Sequence, residues 1–496
     1  MEYFIPAWHG QLSDWSSSIP RIEIYDAIVN MQLLRSGGRK VGLILTDYQP
    51  QFLSKLNQVG FYPDKIFSVF DFLQGISSNE SQVFDYLDLN WPDDVRFDLT
   101  PFRILASSKD RLYASIIFDF NGRVLNVNYF DKDEKETKKL VFDTRGFVST
   151  VEEGDVTTYY DQMGHWRFKH NIKTDHVLIN QLFHFCEKTE YDHLSTLITE
   201  IIRDEVLPNV KKNDHLIVTL DDQAQVPIET FMVYPTIFTL NQLYPYTGDF
   251  KKIGNHTLVV DNRQKISEID PSVSFIVIPS FLVDFKLGHS QRYKNQDIGI
   301  MIEHMRYEEL KSILFALYPR LLTHASTDRI YFLYYNTEKE NMINQVVADL
   351  QKEHPNEFSL NRPEKSKLEN NLSDEEKLPN LIIKGKRLTS IADAMNFLDK
   401  ARILINWNVT DPFIQTAAVS VGIPQLQNFK TLQLINHRNG LICKTPEDVA
   451  DGVNYYLGNL GNWNQALVFD VQLMNAYSAD NLLKQWQSVL NNEEEI

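Results

Sequence analysis

Three residues near the start of the chain, Trp8, His9 and Trp15, have side chains that suit sugar recognition. They follow a short apolar run at residues 3–7, which reads as a buried strand. Ligands of open α/β sheets bind beyond the carboxyl ends of strands, so the three stand where a ligand would lie. An indole face stacks on a sugar ring, and an imidazole donates to a hydroxyl. The competing reading has both indoles packing the strand–helix junction. Trp407, between Asn406 and Asn408 at the end of a later apolar run, is the matching candidate in the second half, with the same two readings. Asp221-Asp222, after the apolar run 216–220, suggests either a metal site of a sugar-nucleotide enzyme or plain loop acids. Lys384, Lys386 and Arg387 suit either a diphosphate or a solvated basic loop.

Other chemistry has no motif here. The chain lacks a Gly-x-x-x-x-Gly-Lys phosphate loop, a Gly-x-Gly-x-x-Gly turn after a strand and a Gly-x-Ser-x-Gly elbow. His165 and His170 are five apart without a partner pair, and Cys186 and Cys443 stand alone, so neither a metal nor a cofactor is expected. Two cysteines exclude a disulfide framework and fit a reducing compartment. With 49 basic and 66 acidic side chains the net charge is −17, which argues against a nucleic-acid partner. Hydrophobic residues make up 43% of the 496, enough for ordinary globular cores, and the length suggests about three domains. No secretory signal is read at the start. The longest apolar stretch, residues 273–283, is too short to span a bilayer. A cytoplasmic location follows as the expectation.

The elements that must position these residues come from periodicity. Residues 3–7, 41–45 and 65–70 read as strands, with helices between them over 21–35, where Ile24, Ile28 and Met31 share a face, and from Pro50 to Gly60. That alternation predicts a parallel sheet. From 95 to 169 the pattern changes to alternating β-branched and aromatic residues, with Asn121-Gly122, Arg145-Gly146 and Met163-Gly164 as turns. This predicts an antiparallel insertion. Strands over 216–220, 256–260 and 275–278 then complete the first half, and 286–297 reads as loop. A helix follows at 307–322, and a second alternating series starts at strand 329–335 and runs through strands at 381–383 and 403–406 and helices at 338–352, 390–400 and 412–421. Residues 353–379 are charged and exposed. The 307–322 helix, flanked by Arg306, Lys311 and Arg320, reads as a core helix bridging domains or as a membrane-surface helix. Thr445-Pro446-Glu447-Asp448 is a helix start. No internal repeat is visible. The resulting domains are 1–94, the insertion 95–169, the first domain continued over 170–297, a second domain over 298–480, and a helix and tail over 481–496.

Two α/β halves with a helical return resemble the shell of GT-B glycosyltransferases, and residues 406–442 carry that resemblance. Gly422-Ile423-Pro424 and Asn439-Gly440-Leu441-Ile442 match the family's late turn and strand. Counting back from Gly422, Ala417 and Val409 stand where retaining members place two glutamates, one beside the reacting sugar and one on the donor ribose. The loop Asn336-Thr337-Glu338-Lys339-Glu340 sets two acids against one base, poor company for the charge of a departing diphosphate. The opening Tyr3-Phe4-Ile5-Pro6-Ala7-Trp8-His9, the later Phe142-Asp143-Thr144-Arg145-Gly146-Phe147 and the order of elements over the whole length narrow the likeness. They resemble the family of the first accessory Sec-system protein, which serves export of serine-rich-repeat adhesins.

The resemblance implies an α/β, GT-B-like fold: two Rossmann-like domains facing a cleft, with an antiparallel β-rich insertion in the N-terminal half. It implies a protein without catalysis that joins the second and third accessory proteins and binds O-glycosylated adhesin. It also implies contact with acidic phospholipid at the inner membrane face and hand-over to the accessory Sec ATPase. The alternatives are a glycosyltransferase, or the substrate-recognising subunit of one, and a structural adaptor with an empty cleft.

Overall fold

The structure, a computed structural model, describes residues 1–8, 25–100, 103–119, 121–241, 244–261, 266–281, 287–361, 378–408 and 411–493. Contacts divide the chain into two compact units. One comprises Met1–Val259, Asp270–Ile276 and Gln487–Ile496, and the other Val260–Ile269 and Val277–Trp486.

The first unit carries a seven-stranded sheet. In spatial order the strands are Phe275–Val277, Leu258–Val260, Thr236–Leu240, His215–Thr219, Glu2–Ile5, Val41–Leu45 and Lys65–Ser68. Glu2–Ile5 pairs in parallel with both Val41–Leu45 and His215–Thr219, so the strand order reverses between its two neighbours. Val41–Leu45 and His215–Thr219 are buried along their whole length, as a sheet covered on both faces requires.

Between Lys65–Ser68 and His215–Thr219 the chain makes a ten-stranded antiparallel meander in strict sequence order, from Arg96–Leu99 to Glu190–Tyr191. The sheet therefore continues past residue 169. Its last strands, Val177–Ile179 and Glu190–Tyr191, are too short to show alternation in sequence. The meander also holds a repeat that the sequence reading missed. Four hairpins turn on an aromatic residue, an Asp and, three positions later, a residue with positive φ. These are Phe118-Asp119 to Gly122, Phe130-Asp131 to Glu134, Phe142-Asp143 to Gly146 and Tyr160-Asp161 to Gly164. In each the Asp carboxylate accepts the N–H two residues on, at 2.8–2.9 Å. Each aromatic residue sits at a register shift, so the turn geometry also re-aims the strand.

One of these turns docks the meander on the parallel sheet. The Thr144 N–H donates to the Pro50 carbonyl at 3.0 Å, and Gln51 Nε2 donates to the Phe142 carbonyl at 2.6 Å. Arg145, 5% exposed, forks onto Asp143 at 2.7 and 2.8 Å and onto Asp71 at 2.9 Å through each terminal nitrogen. Burial works against the Arg145 charge, and the two carboxylates outweigh it and hold the guanidinium protonated. Nearby, Gln74 Nε2 reaches the carbonyls of Ser149 and Tyr160, and Tyr48 donates to Ser149.

The second unit carries a seven-stranded sheet, parallel at each paired edge. Its order is Ser359–Leu360, Asn380–Arg387, Asp328–Tyr334, Gln296–Met301, Ala401–Asn406, Gln425–Gln427 and Gly440–Ile442. Lys384, Lys386 and Arg387 stand on a strand and not in a loop, because Asn380–Arg387 pairs with Asp328–Tyr334 along its length. Tyr307–Thr323 is a core helix: Leu310, Ile313, Leu314, Leu317 and Leu321 are buried, and Arg320 pairs with buried Asp328 at 2.8 Å. The membrane-surface reading of that helix falls with this burial. Thr445 and Asp448 form the expected capping box, and a further helix, Leu460–Ala476, follows.

Around helix Pro412–Val421 runs a ladder of buried amides. Gln425 donates to the Gln415 carbonyl, Gln415 to Gln427, and Gln427 to Thr431, at 2.9–3.0 Å. Asn439, of the Asn-Gly turn, donates to the Gln433 carbonyl at 2.8 Å and to Asp470 at 2.7 Å. Such a network fixes one arrangement of the core, because each member left unpaired would be costly.

This packing can be tested at a pair of glycines and at one buried acid. Gly122 and Gly146 have φ of +79° and +87°, but a Cβ on Gly122 meets nothing within 4 Å, whereas one on Gly146 would lie 2.0 Å from the Gln82 carbonyl oxygen. Gly122→Ala is expected to cost about 1–2 kcal/mol, and Gly146→Ala roughly 2–5 kcal/mol. Equal shifts in melting temperature would contradict this. The buried acid is Asp470. Burial drives its carboxyl well above the usual 3.8, and the Asn439 amide opposes this only in part. A raised folded-state value gives stability that is full below about pH 3.8 and declines as pH rises toward that value. Asp470→Asn is therefore expected to melt higher than the parent at pH 8, with a smaller gain at pH 5; a gain independent of pH would rule the argument out.

Candidate functional site

In the first unit the strand order reverses between Glu2–Ile5 and His215–Thr219, so a ligand crevice would open beyond Ile5 and Thr219. Trp8 lies there but is 5% exposed. Its ring packs 6.3 Å from that of Phe52, and its carbonyl accepts from Gln49 at 2.8 Å. Its Nε1 is buried without a hydrogen-bond partner among the described residues. His9 and Trp15 lie outside the described residues. Asp222 accepts the Thr247 N–H at 2.8 Å, which is the work of a loop acid. Among the described residues no group of three His, Cys, Asp or Glu is placed to hold a metal. Burial pushes the thiols of Cys186 and Cys443 up to about 12.

In the second unit the reversal falls between Gln296–Met301 and Ala401–Asn406. Three loops meet beyond these ends and that of Asp328–Tyr334. The sequence folds the last of them by a local rule: Asp411-Pro412 is an N-cap followed by a proline in the first turn. Asp411 Oδ1 accepts the Ile414 N–H at 3.0 Å, and its Oδ2 accepts the Tyr335 hydroxyl at 2.6 Å. Burial raises the Asp411 carboxyl and raises the Tyr335 phenol well above its usual range, the latter with help from Asp411 itself. Glu303, two residues past its strand, accepts the N–H groups of Tyr335 at 2.7 Å and Asn336 at 3.2 Å. Asn408, with φ +63°, donates its N–H to Asn428 at 2.8 Å and its amide to Glu309. Arg387 Nε donates to the Tyr335 carbonyl at 3.0 Å, Lys386 stands 3.9 Å from Asp393, and Lys384 is exposed.

The chemical consequence concerns anions. Helix N-termini and post-strand N–H groups bind phosphate where they are free. Here Ile414, Tyr335 and Asn336 each give their N–H to a carboxylate of the chain itself. Ala417 is 5% exposed on helix Pro412–Val421, with no polar side chain to hold a ribose; Val409 lies outside the described residues. Trp407 is 8% exposed, and Asn406 beside it is fully buried with neither side-chain polar atom paired among the described residues. Neither Trp8 nor Trp407 thus presents a free ring face.

The residues that the sequence reading missed are Glu303, Tyr335 and Asp411. Asp411 had a signal, Asp-Pro before an apolar helix. Glu303 had none, because its partners lie 32 and 33 residues away.

Comparison with known proteins bears on the whole chain. A curated accessory Sec system protein of Streptococcus gordonii is 25% identical over 527 residues, covering 99% of each chain. A solved chain of the "Glycosylation Associate Protein (Gap123) complex" of Streptococcus agalactiae superposes with a TM-score of 0.75 at 23% identity, over 98% of this chain and 99% of that one. A chain from a crystal structure of accessory secretory proteins 1, 2 and 3 of Streptococcus pneumoniae gives 0.74 at 19% identity, over 100% of both. The pneumococcal O-GlcNAc transferase GtfA, solved with UDP and GlcNAc, gives 0.63 at 12% identity over 99% and 98%, which shows the GT-B fold alone. Residues 1–493 match a single family, the one whose name the S. gordonii protein also bears, and the chain therefore belongs to the family of the first accessory Sec system protein, accessory secretory protein 1.

Proposed function

We propose that this protein is a GT-B shell without transferase activity that carries O-glycosylated serine-rich-repeat adhesin toward export. The observation that carries the reading is the filled carboxyl end of the second sheet. Glu303 and Asp411 take N–H groups that a donor diphosphate would need. A diphosphate brought there would find those N–H groups already taken. Ala417 offers the ribose nothing.

On this reading the protein works by contact, in a complex with the second and third accessory proteins. Two structural relatives support that, one from the Glycosylation Associate Protein (Gap123) complex and one from a structure of accessory secretory proteins 1, 2 and 3. It acts in the cytoplasm and at the inner face of the membrane, where acidic phospholipid and the accessory Sec ATPase receive the adhesin. No described helix is long and apolar enough to cross a membrane, so the membrane contact is peripheral on this account. Trp8, His9, Trp15 and Trp407 are the residues proposed to contact the sugar. Trp8 and Trp407 would have to turn a ring face outward to serve.

Binding of repeats that bear sugar is the direct test. One ring stacked and hydrogen-bonded gives weak affinity, and many rings on one polypeptide multiply it by roughly 10²–10⁴. Glycosylated repeats are expected to bind at least about 100-fold tighter than the same repeats without sugar, with no transfer from any nucleotide sugar. Equal binding of the two forms would sink the adhesin reading. Turnover that Asp411→Ala abolishes would establish a transferase instead.

A further inference from the structure

We infer that a pocket of about 290 Å³ beyond the carboxyl ends of Val41–Leu45 and Lys65–Ser68 binds a single sugar ring. It lies wholly within the first unit. It rests on the preceding reading for the source of the sugar, and on its own geometry for the chemistry. Its volume is at the small end of ligand pockets, the size for one ring and not for a nucleotide.

The apolar wall is aromatic. Phe67 and Phe72 are half-buried, with ring centroids 6.0 Å apart and planes 33° from parallel, and Phe52 closes the wall behind them. The C–H face of a pyranose packs on such rings. The polar wall is Asp71, with Ser68 and Asn79. Ser68 Oγ accepts the Asp71 N–H at 3.1 Å, so its hydroxyl proton is left to donate. Asn79 Oδ1 faces Arg145 at 3.4 Å, and its NH2 group lies exposed at the rim. Asp71 is 37% exposed, and each oxygen already takes one hydrogen bond from Arg145 and has a lone pair to spare. A carboxylate held flat by an arginine fork accepts from two neighbouring hydroxyls in one fixed geometry.

The charge pattern selects against anions. All five N–H bonds of Arg145 are spent, on Asp143, Asp71 and Asn79. A phosphate entering the pocket would find no free guanidinium and one partly exposed carboxylate. A neutral, hydroxyl-rich ring is the ligand that fits. The same arginine explains why the site is rigid, because it joins the turn 143–146 of the meander to the helix Val69–Leu73 that carries Asp71.

The experiment is saturation-transfer NMR with free N-acetylglucosamine on the full chain, with mannitol as the acyclic control. Binding with Kd on the order of 1 mM is expected for the sugar and none for mannitol. Asn79→Ala should raise Kd about three- to tenfold with only a small drop in melting temperature, since Asn79 is exposed and its one bond to Arg145 is long at 3.4 Å, and Phe72→Ala should raise Kd by about tenfold. No transfer to the sugar from the parent protein, or equal affinity for the folded Asn79→Ala and Phe72→Ala variants, would overturn the site. A second arm uses glycosylated repeats. If they bind the parent and both folded variants equally well, the pocket is not the glycan site although the adhesin reading stands. If the free sugar binds here and glycosylated repeats bind no better than bare ones, the pocket stands and the adhesin reading falls.

Discussion

A parallel sheet ends in loops whose N–H groups have no strand to pair with, and those groups must find acceptors. Which acceptors they find decides what this fold does. In a nucleotide enzyme the acceptor arrives with the substrate as phosphate. In this chain it is built in: Asp411 caps the helix that follows the Ala401–Asn406 strand, and Glu303 closes the loop after Asp328–Tyr334. Tyr335 ties the two together, giving its N–H to Glu303 and its hydroxyl to Asp411. These N–H groups at the end of the second sheet are thus satisfied by the chain itself. The amide ladder of Gln415, Gln425 and Gln427 behind the same helix adds to that self-sufficiency.

The first unit shows how an insertion of about one hundred residues stays rigid. Arg145 is the joint. Its guanidinium is buried, and two carboxylates from different elements share it, Asp143 from its own turn and Asp71 from a helix 74 residues earlier. Removing a partner from such a buried group leaves an uncompensated charge, so the joint does not loosen by degrees. The same joint orders Asp71, and through it the polar wall of the small pocket. Architecture and recognition here depend on one side chain.

Much of the fold was legible because it is written in local patterns. Strand–helix alternation at 41–45 and 65–70 gave the first parallel sheet, Asn121-Gly122 gave the meander, and Thr445 with Asp448 gave a helix start. What was not legible depends on distance or brevity. The extension of the meander to Tyr191 rests on strands of three and two residues. The aromatic-Asp turn recurs four times, but only turn residues are shared, so it does not read as a repeat until the hydrogen bonds are seen. Lys384 and Lys386 looked like loop cations because alternation with Gly385 hides a strand. The phrase Asp143-Thr144-Arg145-Gly146 was visible as a turn, while its partner Asp71 was not. For Trp8 and Trp407, residue type left stacking and packing both open, because neither leaves a mark in the local sequence; in the structure both are buried, at 5% and 8% exposed.

Calorimetric titration of UDP into the full chain tests the central claim most directly. With Glu303 and Asp411 holding the donors, no saturable heat is expected up to millimolar UDP, with or without a divalent cation. Saturable binding at micromolar concentrations, lost on substitution of residues at the end of the second sheet, would mean that the nucleotide site is open and that the account given for Glu303 and Asp411 is mistaken.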